Sequence, residues 1–248
     1  MKTLVKVIAA SAFLATTAAQ AEVSANLSVS NNYLWRGLTQ TTDQPAVSGG
    51  VDYSSESGFY AGTWISNVSY GNAVSPGGDD FSYEHDLYFG YGGEAGAFTY
   101  DVSYLYINYN EDVAFDFSEL VFSLGLGDFS ATLNLLAHTE PDEEDYVGEG
   151  GGVADFGFGS AFYVSLDYGM ELSDGWSVGF HAGYHEGDFV EAFNFGDQET
   201  YDYIDYNVSF AKEAFTLTIS QTDLDTTDET DTYNNDDMKF VVAYSFDI

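Results

Sequence analysis

The sequence contains no cysteine and very few basic residues. Lysine and arginine together number 5 in 248 residues, against 41 aspartates and glutamates. Without cysteine, neither a disulfide framework nor a cysteine-ligated metal site can form. Nucleic acid needs cationic partners for its phosphates, so a chain this acidic is not expected to bind it. These absences exclude several classes of protein and leave the apolar residues to define the fold.

The first segment has the features of an export signal. Residues 2–18 combine two lysines with a run of apolar or small residues, and Ala-Gln-Ala at residues 19–21 forms an A-x-A cleavage site. The apolar run is too short to span a bilayer as a helix. We therefore expect a cleaved signal peptide over residues 1–21 and a mature domain over residues 22–248.

Long hydrophobic runs are missing from the rest of the chain. After residue 21, no stretch approaches the roughly 18 consecutive apolar residues of a membrane-spanning helix. Disorder is not expected, because aromatic residues make up 17% of the sequence. If the mature chain sits in a membrane it must form a closed barrel, since only helices and closed barrels satisfy their own backbone groups there.

Apolar and polar residues alternate along the mature chain. In the last segment Phe240, Val242 and Tyr244 share one face, while Ala243 and Ser245 share the other. A period of two residues is typical of a strand with one apolar and one polar face. Twelve segments show this pattern, and the first is predicted to include Tyr33 and Trp35 on its apolar face.

Short turns and longer polar loops alternate between these segments. Turns are predicted at residues 54–58, 92–97, 127–128, 173–175 and 212–214, and loops at 37–46, 68–81, 110–116, 138–160, 185–201 and 221–237. This order predicts an all-β fold, a transmembrane up-and-down antiparallel barrel of about 12 strands. A soluble β-sandwich is the alternative, but its Greek-key connections fit the alternation less well.

A longer pattern occupies residues 31–68, NNYLWRGLTQTTDQPAVSGGVDYSSESGFYAGTWISNV. A Tyr-x-x-Arg-Gly turn is followed by a Gln, a Pro, a Gly-Gly-Asp-Tyr strand and a Gly-Phe-Tyr-x-Gly-Thr-Trp strand. The pattern resembles the TorF family, whose members are called porins mainly because of their architecture. The resemblance implies a porin-like outer-membrane protein of Gram-negative bacteria, and it brings no known substrate or catalytic residue.

The polar faces of the predicted strands would line the lumen. The candidate pore-lining residues are Arg36, Glu84, Asp86, Asp101, Glu119, Asp167 and Asp205, with Asp247 near the end of the last strand. Rings of carboxylates favour cations. Twelve strands lie between a side-chain-filled barrel and an open porin, so any pore should be narrow. We expect passive diffusion of ions and small solutes with a preference for cations; a non-conducting surface or adhesive barrel is the alternative.

Arg36 is expected on the polar face, near the outer end of the first strand. A guanidinium binds carboxylates bidentately and stays charged. Two roles are open for it. It could pin the first loop to lumen carboxylates, or it could contact solutes at a constriction.

No cofactor, metal site or catalytic residue is predicted. The acidic loops 138–160 and 221–237 lack EF-hand spacing, so solvated acids and bound calcium are both open for them. His181 and His185 share a strand face, but residues four apart in a strand lie about 13 Å from each other, too far for a shared metal.

The expected partners are outer-membrane lipid and lipopolysaccharide, the barrel-assembly machinery, small solutes and cations. The last strand resembles the terminal strands by which outer-membrane barrels are recognised for assembly, although it ends on Ile248 where Phe is usual. An outer-membrane lipid hydrolase would need a serine beside a histidine such as His85 or His138, and no motif marks such a serine. An enzyme is therefore not expected.

Overall fold

The computed structural model describes residues 21–70, 81–110, 115–145, 152–191, 202–224 and 235–248. Residues 1–20 of the predicted leader, and parts of five predicted loops, lie outside these ranges. Among the described residues, the only α-helical piece is the short α1 (Asp188–Glu191). The described chain contains no helix long and apolar enough to cross a membrane.

Twelve strands form the wall: β1 (Glu22–Ser30), β4 (Ala46–Ser54), β5 (Phe59–Asn67), β6 (Tyr83–Ala95), β7 (Phe98–Tyr109), β8 (Phe117–Leu126), β9 (Phe129–Thr139), β10 (Phe162–Glu171), β11 (Ser177–Glu186), β12 (Tyr203–Lys212), β13 (Phe215–Thr222) and β14 (Lys239–Asp247). Two further strands, β2 (Leu34–Trp35) and β3 (Leu38–Thr39), pair only with each other. Each wall strand pairs antiparallel with its neighbours in chain order, and β1 pairs with β14. The predicted closed antiparallel barrel of 12 strands is confirmed.

The seam between β1 and β14 closes the wall. Leu27 lies opposite Phe246, and Val29 lies opposite Tyr244. Because every wall strand has a partner on both sides, the barrel presents no open edge. Its backbone donors and acceptors are satisfied within the wall, as a hydrocarbon environment requires.

The residues of the wall strands face outward and inward as the alternation in the sequence predicts. Outward positions carry large apolar side chains that remain exposed, such as Phe89 at 60%, Leu166 at 65% and Val242 at 43%. Inward positions carry small, polar and acidic residues, such as Thr132 and Ser165, which are buried. The outward apolar side chains of the wall strands therefore surround the barrel on its outside.

The connections define two ends of the barrel. Short turns join β4 to β5, β6 to β7, β8 to β9, β10 to β11 and β12 to β13, and this end, which also carries Glu22, is called the turn end. The opposite end, with the longer connections, is called the loop end. One predicted turn is shorter than expected: Gly93 and Glu94 continue the β6–β7 ladder, and only Gly96 and Ala97 connect the two strands.

The prediction that the first strand extends to Trp35 is wrong, because β1 ends at Ser30. Asn31 ends the pairing with β14: its side-chain oxygen accepts from Val242 N at 2.7 Å, and its amide donates to the Phe240 carbonyl at 3.0 Å. This side chain completes the ladder at the point where the main chain leaves it. Tyr33 and Trp35 consequently turn into the barrel and do not face outward.

The buried core lies at the loop end, inside the wall. An apolar cluster forms there from strand ends, connections and the segment after β1: Leu38, Val68, Tyr70, Phe81, Ile107, Tyr109, Phe115, Phe117, Leu136, Ala154, Phe156, Ala161, Phe189, Val190 and Tyr203. Leu38 is the member contributed by the segment between β1 and β4. The loop half of the lumen is therefore packed, whereas inward residues of the turn half are mostly small or polar.

Candidate functional site: the barrel lumen

Residues 31–45, called the inner segment, leave the wall after β1, cross the lumen and return at β4. Arg36 and Gly37 form the turn between β2 and β3, with φ angles of 50° and 82°. Such left-handed angles suit glycine, and a Cβ on Gly37 would lie 2.8 Å from Cβ of Asp205. Only glycine lets the turn approach the β12 wall this closely.

Arg36 is the centre of the contacts between the inner segment and the wall. Its Nη2 donates to both carboxylate oxygens of Glu119, at 2.8 and 2.6 Å. The guanidinium also lies over the rings of Trp35 and Tyr163, 4.1 and 4.4 Å from their centroids. Both side chains of the ion pair are only 6% exposed. A guanidinium suits this place because its planar fork can bind a carboxylate and stack on rings together.

The other guanidinium nitrogen fixes the state of His185. Arg36 Nη1 lies 3.0 Å from His185 Nε2. Because a guanidinium only donates, Nε2 must accept and the ring proton must sit on Nδ1. Nδ1 faces the hydroxyl of Tyr203 at 3.4 Å, and that hydroxyl donates to the Arg36 carbonyl at 3.0 Å. The wall thus holds both the side chain and the backbone of the turn.

A second polar cluster lies beside the first, towards the turn end. Tyr163 Oη is 2.9 Å from Asp205 Oδ2 and 2.8 Å from His181 Nε2. His181 contacts two carboxylates, Asp167 through Nδ1 at 2.7 Å and Asp205 through Nε2 at 3.0 Å. Since ionised carboxylates only accept, this arrangement favours a ring protonated on both nitrogens. Arg36 and His181 thus partly neutralise the carboxylates of this wall.

Glu84 binds the inner segment from the opposite side of the lumen. Its carboxylate accepts from Tyr33 at 2.6 Å and from Tyr109 at 2.9 Å. Burial and the nearby Glu84 charge raise the pKa of the Tyr33 phenol, which therefore remains a donor. Asp86, the next inward residue of β6, has a buried Oδ1 with no hydrogen-bond partner among the described residues.

The turn half of the lumen has its own acidic side chains. Asp101 accepts from the Tyr60 hydroxyl at 2.8 Å, and its Oδ2 is buried with no hydrogen-bond partner among the described residues. Tyr88 donates to Asp52 on the same side of the barrel. No described cation makes a salt bridge with Asp52, Asp86 or Asp101. The β4–β7 wall therefore carries acidic side chains that no described basic side chain offsets.

The return part of the inner segment is held by a second ion pair. Lys239, an inward residue at the start of β14, lies 2.7 Å from Asp43. Thr39 N donates to the side chain of Asn235 at 3.0 Å. Within the segment, Asn32 accepts from the hydroxyls of Thr39 and Thr41 and so fixes its internal shape. The segment is consequently attached at its hairpin turn and near its end.

All candidate pore-lining residues on the wall strands lie at inward positions, but the structure distributes them among different groups. Arg36 and Glu119 are brought together directly, and Asp167 and Asp205 through His181. Glu84 and Asp86 follow one another on β6, whereas Asp101 and Asp247 stand apart from these groups. Arg36 is not on a wall strand, contrary to its expected place, because β1 ends before it.

Several residues of the lumen were not among those predicted to line it. His181, His185 and Tyr163 have the inward phase of their strands, so the alternation could have placed them there. Lys239 also has the inward phase of its strand, but Asp43 lies in a predicted loop, and their pairing joins residues 196 positions apart. Only the folded barrel brings these two together.

The acidic loops give no described metal site. Glu140 and Asp142 accept from backbone amides, at 3.3 Å and 3.1 Å. Residues 146–151 and 225–234, which include acids of both loops, lie outside the described residues. In the part of the chain that is described, no group of three histidines, aspartates or glutamates could hold a metal ion. Calcium binding by these loops stays one of the two alternatives that the sequence leaves open.

The histidines considered for a lipid hydrolase lie elsewhere on the barrel. His85 faces outward near the loop end and its Nε2 is 2.7 Å from Thr63 Oγ1. The His138 carbonyl, not its ring, receives a long contact of 3.5 Å from Ser118. Neither ring is hydrogen-bonded to a serine in the described part of the chain.

Sequence comparison finds one family. Its model, described as "Bacterial protein of unknown function (Gcw_chp)", matches residues 14–246. No curated protein is significantly similar to the chain. The TorF resemblance stays a prediction, because the matching model bears a different name.

Solved structures with a similar fold include both channels and an enzyme. The KdgM porin is 8% identical over 91% of this chain and 98% of its own, with a TM-score of 0.49. OccAB4 of Acinetobacter baumannii is 13% identical over 88% of this chain and 56% of its own, with a TM-score of 0.39. Outer membrane phospholipase A from Escherichia coli is 10% identical over 91% and 96%, with a TM-score of 0.40. At these values none of the similarities assigns a function to the chain.

Proposed function

We propose that this chain, which belongs to the Gcw_chp family of bacterial proteins, forms a narrow, cation-preferring channel for ions and small solutes in a bacterial outer membrane. The observation that carries the proposal is the pair of opposed faces of the closed wall. Exposed apolar side chains cover its outside, and acidic and polar side chains line its inside. This is the distribution that a barrel in lipid with a hydrated lumen needs.

The charges of the lumen support the preference for cations. After residue 21 the basic residues are Arg36, Lys212 and Lys239. Arg36 is paired with Glu119 and Lys239 with Asp43, while Lys212 lies over the Trp176 ring near the turn end. Uncompensated carboxylates in a low-dielectric channel raise the local concentration of cations. Anions would meet no free positive group along the β4–β7 wall.

The width of the barrel supports small solutes. A barrel of 12 strands is narrower than an open porin. Tyr60 and Tyr88 project inward from β5 and β6, and the inner segment occupies the loop half. A pathway through a lumen of this width would admit ions and small polar molecules rather than folded or bulky ones.

The proposal includes the route to the membrane. We infer that the leader is cleaved after Ala21, that the barrel-assembly machinery inserts the mature domain, and that outer-membrane lipid and lipopolysaccharide surround it. In this arrangement the turn end faces the periplasm and the loop end faces outward. N-terminal sequencing of protein purified from outer membranes would test the cleavage site.

Planar-bilayer recording tests conduction and selectivity together. Across a salt gradient, the reversal potential should show cation preference, and this preference should shrink at 1 M salt, where the Debye length is about 3 Å. It should also weaken below about pH 4, where ordinary carboxylates protonate. Anion preference would contradict the acidic lumen.

A matched pair of double variants locates the selectivity. Asp86→Asn with Asp101→Asn removes two acidic side chains of the lumen that pair with no described basic residue, and we expect it to reduce cation selectivity. Asp128→Asn with Asp174→Asn removes the same charge from exposed turns outside the lumen, and should change selectivity much less because these sites are screened by solvent. Equal effects of the two doubles would show that the lumen acids do not set selectivity.

A non-conducting barrel that acts at the surface through its acidic loops is the second candidate. The observation that favours it is the inner segment, which fills the loop half of the lumen together with the apolar cluster. Absence of any conductance from correctly folded barrels would favour this candidate. Detergent-dispersed phospholipid should remain unhydrolysed under either proposal.

A further inference from the structure

We propose that the inner segment, residues 31–45, is the gate of this channel: docked, it blocks the loop half of the lumen, and released, it opens a path lined by the carboxylates it had covered. The inference rests on the proposed channel function and adds the regulation of the same lumen. Its physical basis is the position of the segment, its attachment, its backbone conformation and what it covers.

The docked segment stands where a solute would pass. Leu38, Thr39 and Thr41 are each no more than 2% exposed. The segment starts at the end of β1, and its turn contacts Glu119 on β8, on the opposite side of the barrel from β1. The segment crosses the lumen from one side to the other, and the apolar cluster packed around Leu38 fills the space beside it.

The wall does not need the segment. β2 and β3 pair only with each other, while β1 and β4, which flank the segment, pair directly along their whole lengths. In the described residues, main-chain hydrogen bonds join the segment to the rest of the chain only at Asn31–Val242 and Ser69–Gln40. Release of the hairpin would therefore leave the barrel ladders intact.

The main attachments are side-chain contacts that can be exchanged. Arg36–Glu119 holds the turn, Asp43–Lys239 holds the return, and Tyr33 donates to the wall carboxylate of Glu84. Each contact involves at least one charged side chain. When the contact breaks, a solute ion or water can take the place of the lost partner. These polar contacts act together with apolar packing, because Leu38 belongs to the buried cluster and Tyr33 and Trp35 pack against it.

The backbone of the docked segment is held in an uncommon conformation. Arg36, Thr42 and Asp43 have φ angles of 50°, 47° and 58°. Among the other non-glycine residues of the described chain, only Asp174 and Glu213 have positive φ angles. Residues without glycine's freedom rarely adopt it unless their surroundings impose it. Loss of the contacts therefore favours departure from the docked shape.

The segment covers the acids that a cation would use. Glu84 and Glu119 are 4% exposed and Asp205 is 1% exposed, and each lies against Tyr33, Arg36 or Gly37. Release would uncover these three carboxylates at the level where the docked segment blocks passage. Release of the segment would then both open the lumen and line it with carboxylates that favour cations.

Thiol labelling tests whether the segment moves. Because the chain has no cysteine, Leu38→Cys provides a single buried reporter for a charged methanethiosulfonate reagent. With Glu119→Gln, which removes the charge that holds Arg36, we expect labelling to be about tenfold faster or more, since breaking a buried ion pair strongly destabilises the docked state. Asp101→Asn, an equally buried lumen acid without a contact to the segment, should leave the labelling rate unchanged. If Glu119→Gln fails to fold, Asp43→Asn provides a second test. Asp43 is exposed, and its substitution removes the ion pair with Lys239.

Single-channel recording tests whether this movement gates conduction. Glu119→Gln and Asp43→Asn without the reporter should each show a higher open probability than the original chain, and modification of Leu38→Cys should hold the channel open. Gel mobility of unheated samples would establish that each variant is folded.

The outcomes separate the gate from the channel. Unchanged labelling in both Glu119→Gln and Asp43→Asn overturns the gate. Conduction that is the same in the original chain and in the variants overturns the gate but leaves the channel function standing. Faster labelling without conductance in any folded variant overturns both proposals.

Discussion

Two of the three basic residues after position 21 take part in docking one segment. Arg36 reaches from the inner segment to Glu119, and Lys239 reaches from the wall to Asp43. In a chain with 41 acidic residues, many carboxylates could pair with an arginine or a lysine. What makes the Arg36 site specific is its geometry, because the guanidinium also stacks between Trp35 and Tyr163. This placement cannot be reproduced by an ammonium group.

A double-mutant cycle tests the central ion pair. Arg36→Met leaves the buried Glu119 carboxylate without its cation, although Asn134 still donates to it at 2.8 Å, and Glu119→Gln leaves the Arg36 guanidinium without its carboxylate. Each change should therefore lower the free energy of unfolding. The double variant should lose less than the sum of the two, with a coupling of about 0.5–3 kcal/mol. Denaturant unfolding in detergent, followed by gel mobility, measures these values.

The matched control combines Arg36→Met with Asp101→Asn. These residues share no contact, so their effects should add within about 0.5 kcal/mol. Additivity in the Arg36–Glu119 cycle as well would show that the observed ion pair does not contribute to stability.

At the scale of the strand pair, β5 and β6 share a reciprocal arrangement of tyrosine and glycine. Tyr60 lies opposite Gly90, and Gly62 lies opposite Tyr88, all on the inward face. A Cβ on Gly90 would lie 2.5 Å from the Tyr60 hydroxyl, and one on Gly62 would lie 2.4 Å from the Tyr88 ring. Each glycine therefore provides the space into which the facing tyrosine folds. This packing presents both phenols to lumen carboxylates.

Gly90→Ala should disturb this packing. The added methyl group would displace Tyr60 and weaken its hydrogen bond to Asp101, at a cost of about 1–3 kcal/mol in stability. Gly152→Ala is the control, because a Cβ at that position meets nothing within 4 Å. Equal unfolding midpoints for the two variants would show that the tyrosine does not depend on the glycine.

The two faces of β14 can be tested with neighbouring residues. Val242 faces outward and Ala243 faces the lumen. Val242→Arg should cost about 2–4 kcal/mol if the site lies near the middle of the bilayer, whereas Ala243→Arg should cost much less because it meets water and carboxylates. Unfolding of the two variants in lipid vesicles gives the comparison, and similar penalties would contradict the assigned faces.

At the scale of the whole molecule, closure of the sheet determines the behaviour expected in solution. A barrel without edges and with an apolar exterior should be soluble only in detergent or lipid and should resist unfolding. We expect β-rich circular dichroism in detergent and a difference in gel mobility between unheated and boiled samples. A monodisperse, folded protein in buffer without detergent would contradict a membrane barrel.

The sequence by itself determined the number of strands, their phase and the positions of the turns. Successive side chains of a strand point to opposite faces of the sheet. Lipid outside the barrel favours apolar residues and the lumen favours polar ones, so the sequence itself shows which residues face which way. The acidic residues of the wall, such as Glu84 and Asp101, were placed on the inward face by the same phase. Local chemistry was enough for all of this.

Only the tertiary structure decided where the wall ends and the inner segment begins. Tyr33 and Trp35 resume the alternation of β1 after one polar residue, Asn31, so the local pattern does not show that the chain leaves the wall there. The departure depends on pairing with residues far along the chain, Val242 for Asn31 and Glu119 for Arg36. Such contacts exist only after the barrel has closed, because closure brings residues from opposite ends of the sequence to one lumen.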